Sequence, residues 1–241
     1  MIETIATTHR LVARPRLTAE ELAAMCELLN AHFQDVSRRQ FVEDLGEKNW
    51  VILIERGDKI LGFSTILAYQ TPYGGEPLSV IYSGDTIVAR EAWNTSALPR
   101  GWIQSVVALR RYYPRGKYLW LLLTSGFRTY RHLPLFWKEF YPCCDVPTPE
   151  PRRKLLDHLA IERFGARYDR ASGIVRFARP QALREGLAEI PPNRLEDPHV
   201  AFFAALNPGH ARGDELVCLT ELTPANLTAA GRRMASAVPT W

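Results

Sequence analysis

The sequence has no apolar run long enough to cross a bilayer. The longest, Tyr118 to Leu123 (YLWLLL), has the length of a strand. The opening stretch, MIETIATTHRLVARPR, lacks the apolar centre of a secretory signal. These two absences predict a cytoplasmic protein with no membrane span. Cysteine is scarce: the four are Cys26, Cys143, Cys144 and Cys218, with no CxxC pair. That spacing predicts free thiols in a reducing compartment and no metal site. A strong charge of one sign is also missing. Thirty basic residues are interspersed with 26 acidic ones, for a formal net charge of +4, which does not suggest a dedicated nucleic-acid binder. The mild excess suits a phosphorylated cofactor or an acidic carrier protein. No internal repeat or low-complexity tract occurs, and 46% hydrophobic residues in a 241-residue chain are enough to fold a sizeable core.

What is present reads as a mixed α/β chain. Thr18 opens a helix to His32 with a capping-box pattern, Glu21 lying three residues on, and Ser37 to Gly46 forms a second, short helix. Strands follow at Trp50–Glu55, Lys59–Tyr69 and Leu78–Val88, the first two joined by the tight turn Arg56-Gly57-Asp58. Gly84 inside the third strand predicts a bulge or a close backbone approach. Ala89 to Gly101 reads as a loop, Trp102 to Tyr113 as a helix, Tyr118 to Thr124 as a buried strand and Thr129 to Phe140 as a helix stopped by Tyr141-Pro142. The three prolines of Asp145–Arg152 mark a boundary between residues 1–145 and a C-terminal α+β extension, 146–241. That extension holds helices at Arg153–Phe164, Pro198–Leu206 and Ala225 to about Ala235, with strands at Ile174–Phe177 and Leu216–Leu222.

The order helix, helix, hairpin, long strand, loop, helix, strand, helix over residues 18 to 145 resembles the GNAT acyltransferase superfamily. Leu61-Gly62-Phe63 matches its apolar-Gly-aromatic step in the second hairpin strand. The resemblance implies a mixed twisted sheet flanked by helices, in which the central strand and the strand after the loop run parallel and splay apart. It also implies an enzyme that moves an acyl group from a thioester to an amine, with acyl-coenzyme A or an acyl carrier protein as co-substrate and no permanently bound cofactor. The family's phosphate loop carries closely spaced glycines; here the stretch Arg90 to Gly101 (REAWNTSALPRG) has one glycine and a bulky Trp93. Such a loop with an added C-terminal segment is similar to the branch that transfers long fatty acyl chains, including N-acyl amino acid synthases and lipopeptide maturases.

Mapped residue by residue, the resemblance implies a thioester site with oxyanion donors at the amides of Ile87 and Val88. Phosphate contacts fall to Arg90, Thr95, Ser96, Arg100 and Gly101, and Ser125 either bonds the pantetheine arm or caps the next helix. Asp85, on a central strand where a carboxylate is costly unless paired, is the candidate base or amine anchor; its bland alternative is a structural ion pair. Tyr130 and His132 are candidate proton donors, set against core packing and a surface imidazole. Asp214 and Glu215 are candidate anchors for a cationic amine of a small molecule or peptide, set against simple turn chemistry. The clustered aromatics either line an acyl tunnel or fill the core. Two other functions fit the same residues: a non-catalytic GNAT-like protein that binds an acyl or nucleotide ligand, and an aminoacyl-tRNA-dependent transferase, which would need a dense basic groove.

Overall fold

A computed structural model describes residues 6–93 and 95–236. The opening five residues of the presumed non-signal segment, and Asn94 of the predicted loop, lie outside them. The described elements are β1 (Thr7–Ala13), α1 (Ala19–His32), α2 (Arg38–Gly46), β2 (Trp50–Arg56), β3 (Lys59–Tyr73), β4 (Glu76–Val88), α3 (Ala97–Leu109), β5 (Lys117–Thr124), α4 (Phe127–Tyr130), α5 (His132–Phe136), β6 (Phe140–Tyr141), α6 (Glu150–Phe164), β7 (Tyr168–Asp169), β8 (Ile174–Val175), α7 (Pro198–Leu206), β9 (Glu215–Glu221) and α8 (Ala229–Ala235). All nine strands join one mixed sheet in the order β1-β2-β3-β4-β5-β9-β8-β7, with β6 also paired to β9.

The sheet is antiparallel except where β4 meets β5. That parallel ladder runs from Leu78↔Lys117 to Ser83↔Leu122 and stops, although β4 continues to Val88 and β5 to Thr124. Beyond it β4 stays with β3 (Phe63↔Ile87, Gly62↔Val88), while β5 stays with β9 (Thr124↔Leu216). The two strands therefore part at their C-terminal ends, as the GNAT resemblance implies. The predicted bulge lies at this point: the β3–β4 register shifts between Ser64 and Ile66, opposite Gly84 and Asp85.

Helices cover both faces. On one, α3, α5, α7 and α8 pack over Ile52, Ile54, Ile81, Trp120 and Leu122. The other face carries two separate cores: α1 and α2 over Val51, Leu53, Phe63 and Ile87, and α6 over Val80, Tyr82, Leu119, Leu121 and Leu219. This two-sided burial is why β2 and β5 read as unbroken apolar runs. Each such side chain stabilises the fold by roughly 1.5–3 kcal/mol. Between the two cores an ion pair joins Arg163 in α6 to Glu47 after α2.

Several sequence expectations need correction. Helix α3 starts at Ala97, so Arg100 and Gly101 are helical and not loop residues. Pro99 is tolerated there because first-turn amides have no helical partner to lose. Gly101 is where α3 meets β1, an edge strand whose polar, weakly alternating residues hid it; a Cβ at 101 would lie 2.8 Å from His9 Cβ. The single helix expected over Thr129–Phe140 is instead α4, α5 and the strand β6. Trp137 turns extended, and Phe140 and Tyr141 pair with Thr220 and Leu219 of β9. Tertiary strand pairing here overrides a helical pattern already weakened by Pro134. The segment past residue 146 hydrogen-bonds into the same sheet: β9 lies directly against β5.

Candidate active site

The parting of β4 from β5 creates an opening with different chemistry on its two sides. On the α3 side is a narrow slot lined by Ser83, Thr86, Trp102, Trp120, His132 and Trp137 among others, with an enclosed volume of about 20 Å³, the room of a single water. The tryptophans form its wall, Trp102 and Trp120 with ring centroids 4.1 Å apart and Trp120 and Trp137 5.0 Å apart. Trp120 Nε1 donates to Ser83 Oγ (2.8 Å), and Thr86 Oγ1 bonds Ser64 Oγ (2.8 Å). Trp137 Nε1 is buried with no partner among the described residues, the kind of orphaned donor that calls for a ligand or an ordered water. His132 borders the slot with a pKa lowered to about 4 by burial and by Arg131. Its ring is therefore neutral at pH 7 and keeps one N–H donor.

On the opposite side, between α2 and α6, the bulge brings together Asp85, Glu215 and Lys48. Burial raises the Asp85 pKa, while the Lys48 charge opposes the rise. Glu215, at the start of β9, is pushed up to about 8 by burial and then by the negative charge of Asp85. Lys48 is lowered by burial, with Asp85 opposing. The Asp85 charge adds to burial in raising Glu215, so the two carboxyls titrate apart beside the one lysine. Lys48 reaches in because Gly84 has no side chain: a Cβ there would stand 2.8 Å from Lys48 Cε and from Thr65 Oγ1. Lys48 Nζ and the Arg163 guanidinium lie 5.4 and 5.1 Å from the centre of the Tyr82 ring. Thr65 Oγ1 and Tyr69 Oη are buried without partners among the described residues.

The strand ends behave differently from one another. Val88 turns its carbonyl away from β3, accepting from Trp93 Nε1 (2.6 Å). Its own amide, on the same side of the strand, thus faces the opening. Ile87 is buried opposite Phe63. Around the mouth, Arg90 stacks over Trp93 (5.5 Å), as does Arg128 (4.9 Å). Burial and the nearby charges of Arg194 and Arg90 lower the Arg128 pKa, so three guanidiniums share this mouth. Sequence reasoning missed Arg128 and Arg194 because neither belongs to the loop. It also missed Lys48, for which the only signal was a lysine beside an apolar strand. Ser96 precedes α3 without a side-chain capping bond; Thr95 Oγ1 takes that part, accepting from Ala97 N (3.4 Å).

The other expected site residues divide. Thr95 Oγ1 donates to Ala92 O (2.8 Å), closing its own loop. Arg100 faces His9, whose pKa it helps lower after burial. Thr124, not Ser125, makes the turn into α4, bonding both the N–H and the carbonyl of Gly126. Tyr130 is fully buried against Phe203 and donates its hydroxyl to Pro142 O (3.0 Å), outside the slot. Asp214 and its neighbour Glu215 part company: Asp214 Oδ2 accepts from Arg176 Nε (3.2 Å), while Glu215 faces Asp85.

No protein-family model matches the sequence, and no curated protein matches it. Among solved structures it is similar to a conserved protein of unknown function from Enterococcus faecalis described as a probable N-acyltransferase, at 14% identity, 55% of this chain, 33% of that one and a TM-score of 0.42. A GCN5-related N-acetyltransferase from Kribbella flavida matches at 15% identity over 92% of this chain and 67% of that one, with a TM-score of 0.41. A GNAT family N-acetyltransferase from Escherichia coli in complex with CoA matches at 13% identity over 52% and 66%, with a TM-score of 0.38. The chain thus spans about a third of the length of the first of these proteins. At these identities and TM-scores the likeness carries no activity over to this chain.

Proposed function

We propose that this protein is an N-acyltransferase of the GNAT type. A thioester enters the opening between β4 and β5 from the α3 side, and an amine meets it from the side of α2 and α6. The observation that carries this reading is the early end of the β4–β5 ladder at Ser83↔Leu122, with the Asp85–Glu215–Lys48 group beside the gap it leaves. Asp85 takes the ammonium proton, and Glu215 shares the acceptor site with it. The amine then attacks the thioester carbonyl, whose oxyanion the Val88 amide receives; collapse of the intermediate breaks the C–S bond, leaving the amide, and the expelled thiolate takes up the second proton lost by the amine nitrogen. His132, neutral and bordering the slot, offers an N–H to the pantetheine or the carbonyl. Arg90, Arg128 and Arg194 bind the donor's phosphates or an acidic carrier protein, doing with side chains what a glycine-rich loop would do with its backbone.

The test is acyl transfer read by mass spectrometry, using acetyl-, medium- and long-chain coenzyme A and acyl carrier protein donors against a panel of amines. Transfer is expected, and Asp85→Asn should lower turnover by about 10²–10⁴ while the variant still melts cooperatively. Donor binding without transfer to any amine would favour a non-catalytic acyl-binding protein instead.

A further inference from the structure

Away from the opening, four side chains from two distant parts of the chain converge. Cys143, Cys144 and Asp145 follow β6, and His199 stands in the first turn of α7. One donor atom from each lies within 4.8 Å of every other. Cys144 Sγ is 3.1 Å from His199 Nδ1, Cys143 Sγ is 3.7 Å from Asp145 Oδ2, and Cys144 Sγ is 3.5 Å from Asp145 Oδ1. A tetrahedral zinc with Zn–S of about 2.3 Å and Zn–N or Zn–O of about 2.0–2.1 Å sets its donors about 3.3–3.8 Å apart. The quoted contacts lie in or just below that range, and no pair of the four donors is more than 4.8 Å apart, a spread that side-chain rotation can close around one ion.

We propose that Cys143, Cys144, Asp145 and His199 bind one zinc ion as a structural site. Two thiolates, an imidazole and a carboxylate form a donor set suited to a borderline-soft divalent ion and poorly suited to calcium or magnesium. The framework fixes the backbone on either side of the cluster. Pro142 O, just before the cysteines, receives the Tyr130 hydroxyl (3.0 Å). Phe140 packs on the His199 ring, with centroids 5.9 Å apart. Asp197 caps α7 by accepting from His199 N (3.0 Å) and is itself tied to Arg131 Nε (3.1 Å). Among the described ion pairs, the only basic side chain beside Asp145 is His199 itself (Nε2 to Oδ2, 3.9 Å). The Asp145 side chain is 70% exposed, which gives an ion a path in. A bound ion would clamp α7 to the strap after β6, joining residues 55 positions apart. The absence of a CxxC pair concealed the site, because adjacent cysteines replace that spacing and the histidine comes from another element.

The proposal stands apart from the acyltransferase reading, and its test reads metal and not activity. Full-length protein, stripped with a chelator, is titrated with Co²⁺ and then Zn²⁺. One equivalent of Co²⁺ should bind with a thiolate-to-cobalt charge-transfer band and the visible spectrum of a tetrahedral ion, and Zn²⁺ should displace it. Zinc at a hundred times its dissociation constant should raise Tm by about 5–10 °C, whereas Mg²⁺ and Ca²⁺ should not. Cys143→Ser/Cys144→Ser should abolish the band and the shift, and the exposed Asp145→Asn should weaken binding at least about tenfold. A wild-type chain whose cobalt spectrum lacks the thiolate band, or whose Tm ignores both zinc and chelator, overturns the site. Undiminished binding by the double serine variant does the same.

Discussion

At the residue scale, the consequential feature is a carboxylate pair that a lysine does not fully neutralise. Glu215 binds its proton more tightly in the folded chain, with a pKa of about 8 against an ordinary 4.5. Between those values the native state holds more protons than the unfolded one, so this group lowers stability as pH rises through that window. Glu215→Gln removes the penalty. Its stability relative to wild type should grow from pH 5 to pH 8 in denaturant titrations, while its acyl-transfer rate falls; a pH-independent difference would place Glu215 outside the coupled group. His132 acts in the opposite sense, because its folded pKa of about 4 lies below the ordinary 6.5. Stability from that group is lost as pH falls from 6.5 towards 4.

The mouth arginines carry a separate expectation. Charged hydrogen bonds of this type contribute about 1.5–3 kcal/mol each. Arg90→Ala combined with Arg128→Ala should therefore weaken coenzyme A binding by more than about a hundredfold by calorimetry. Arg100→Ala, on the flank facing His9, should change it far less. Equal losses at Arg100 and Arg128 would show that the phosphates lie along α3 and not at the mouth.

At the scale of elements, the β4–β5 contact depends on the turn that starts β5. Gly116 has a φ of +63°, and a Cβ there would come within 1.7 Å of Pro77 O at the start of β4. Gly116→Ala must strain the turn, move the strand start, or both. The conformation alone costs about 1–3 kcal/mol, which for a chain of this size lowers Tm by about 2–12 °C. A variant that melts like wild type would mean the turn relaxes without disturbing the ladder. The same scale explains the misread helices. Pro99 resembles a loop residue but sits in a first turn, where its missing N–H costs nothing. Trp137 to Tyr141 resembles a helix end but is pulled into strand pairing by β9.

For the whole molecule, the decisive fact is that β9 enters the sheet between β5 and β8. It contributes Leu216 and Cys218 to the core on the α3 side, with Leu222 just beyond it, and Val217 and Leu219 to the core under α6. A fragment ending at residue 145 would leave the apolar strand β5 as an open edge and both cores without a wall. It should be recovered mainly as aggregate and, if refolded, should lack a cooperative melt by circular dichroism. A soluble, cooperatively melting fragment would show that residues 1–145 fold alone.

The elements themselves were largely legible in the sequence, because their causes are local. The Thr18–Glu21 capping box forms as its spacing implies, β2 and β5 are apolar on both faces, and Gly84 marks a bulge. Asp85 stood out for an equally local reason, a carboxylate on a central strand. What only the tertiary structure decided is which distant groups share a space. Glu215 meets Asp85 through the pairing of β9, whereas Asp214 beside it turns to Arg176. Lys48 arrives over a missing side chain, Tyr130 spends its hydroxyl on Pro142, and His199 reaches Cys144 across 55 residues. A side chain's burial and its distance from another charge depend on the closure of the whole sheet, and no local pattern encodes them. The sequence by itself therefore determines which groups can do chemistry, and the packing of the sheet decides which of them meet.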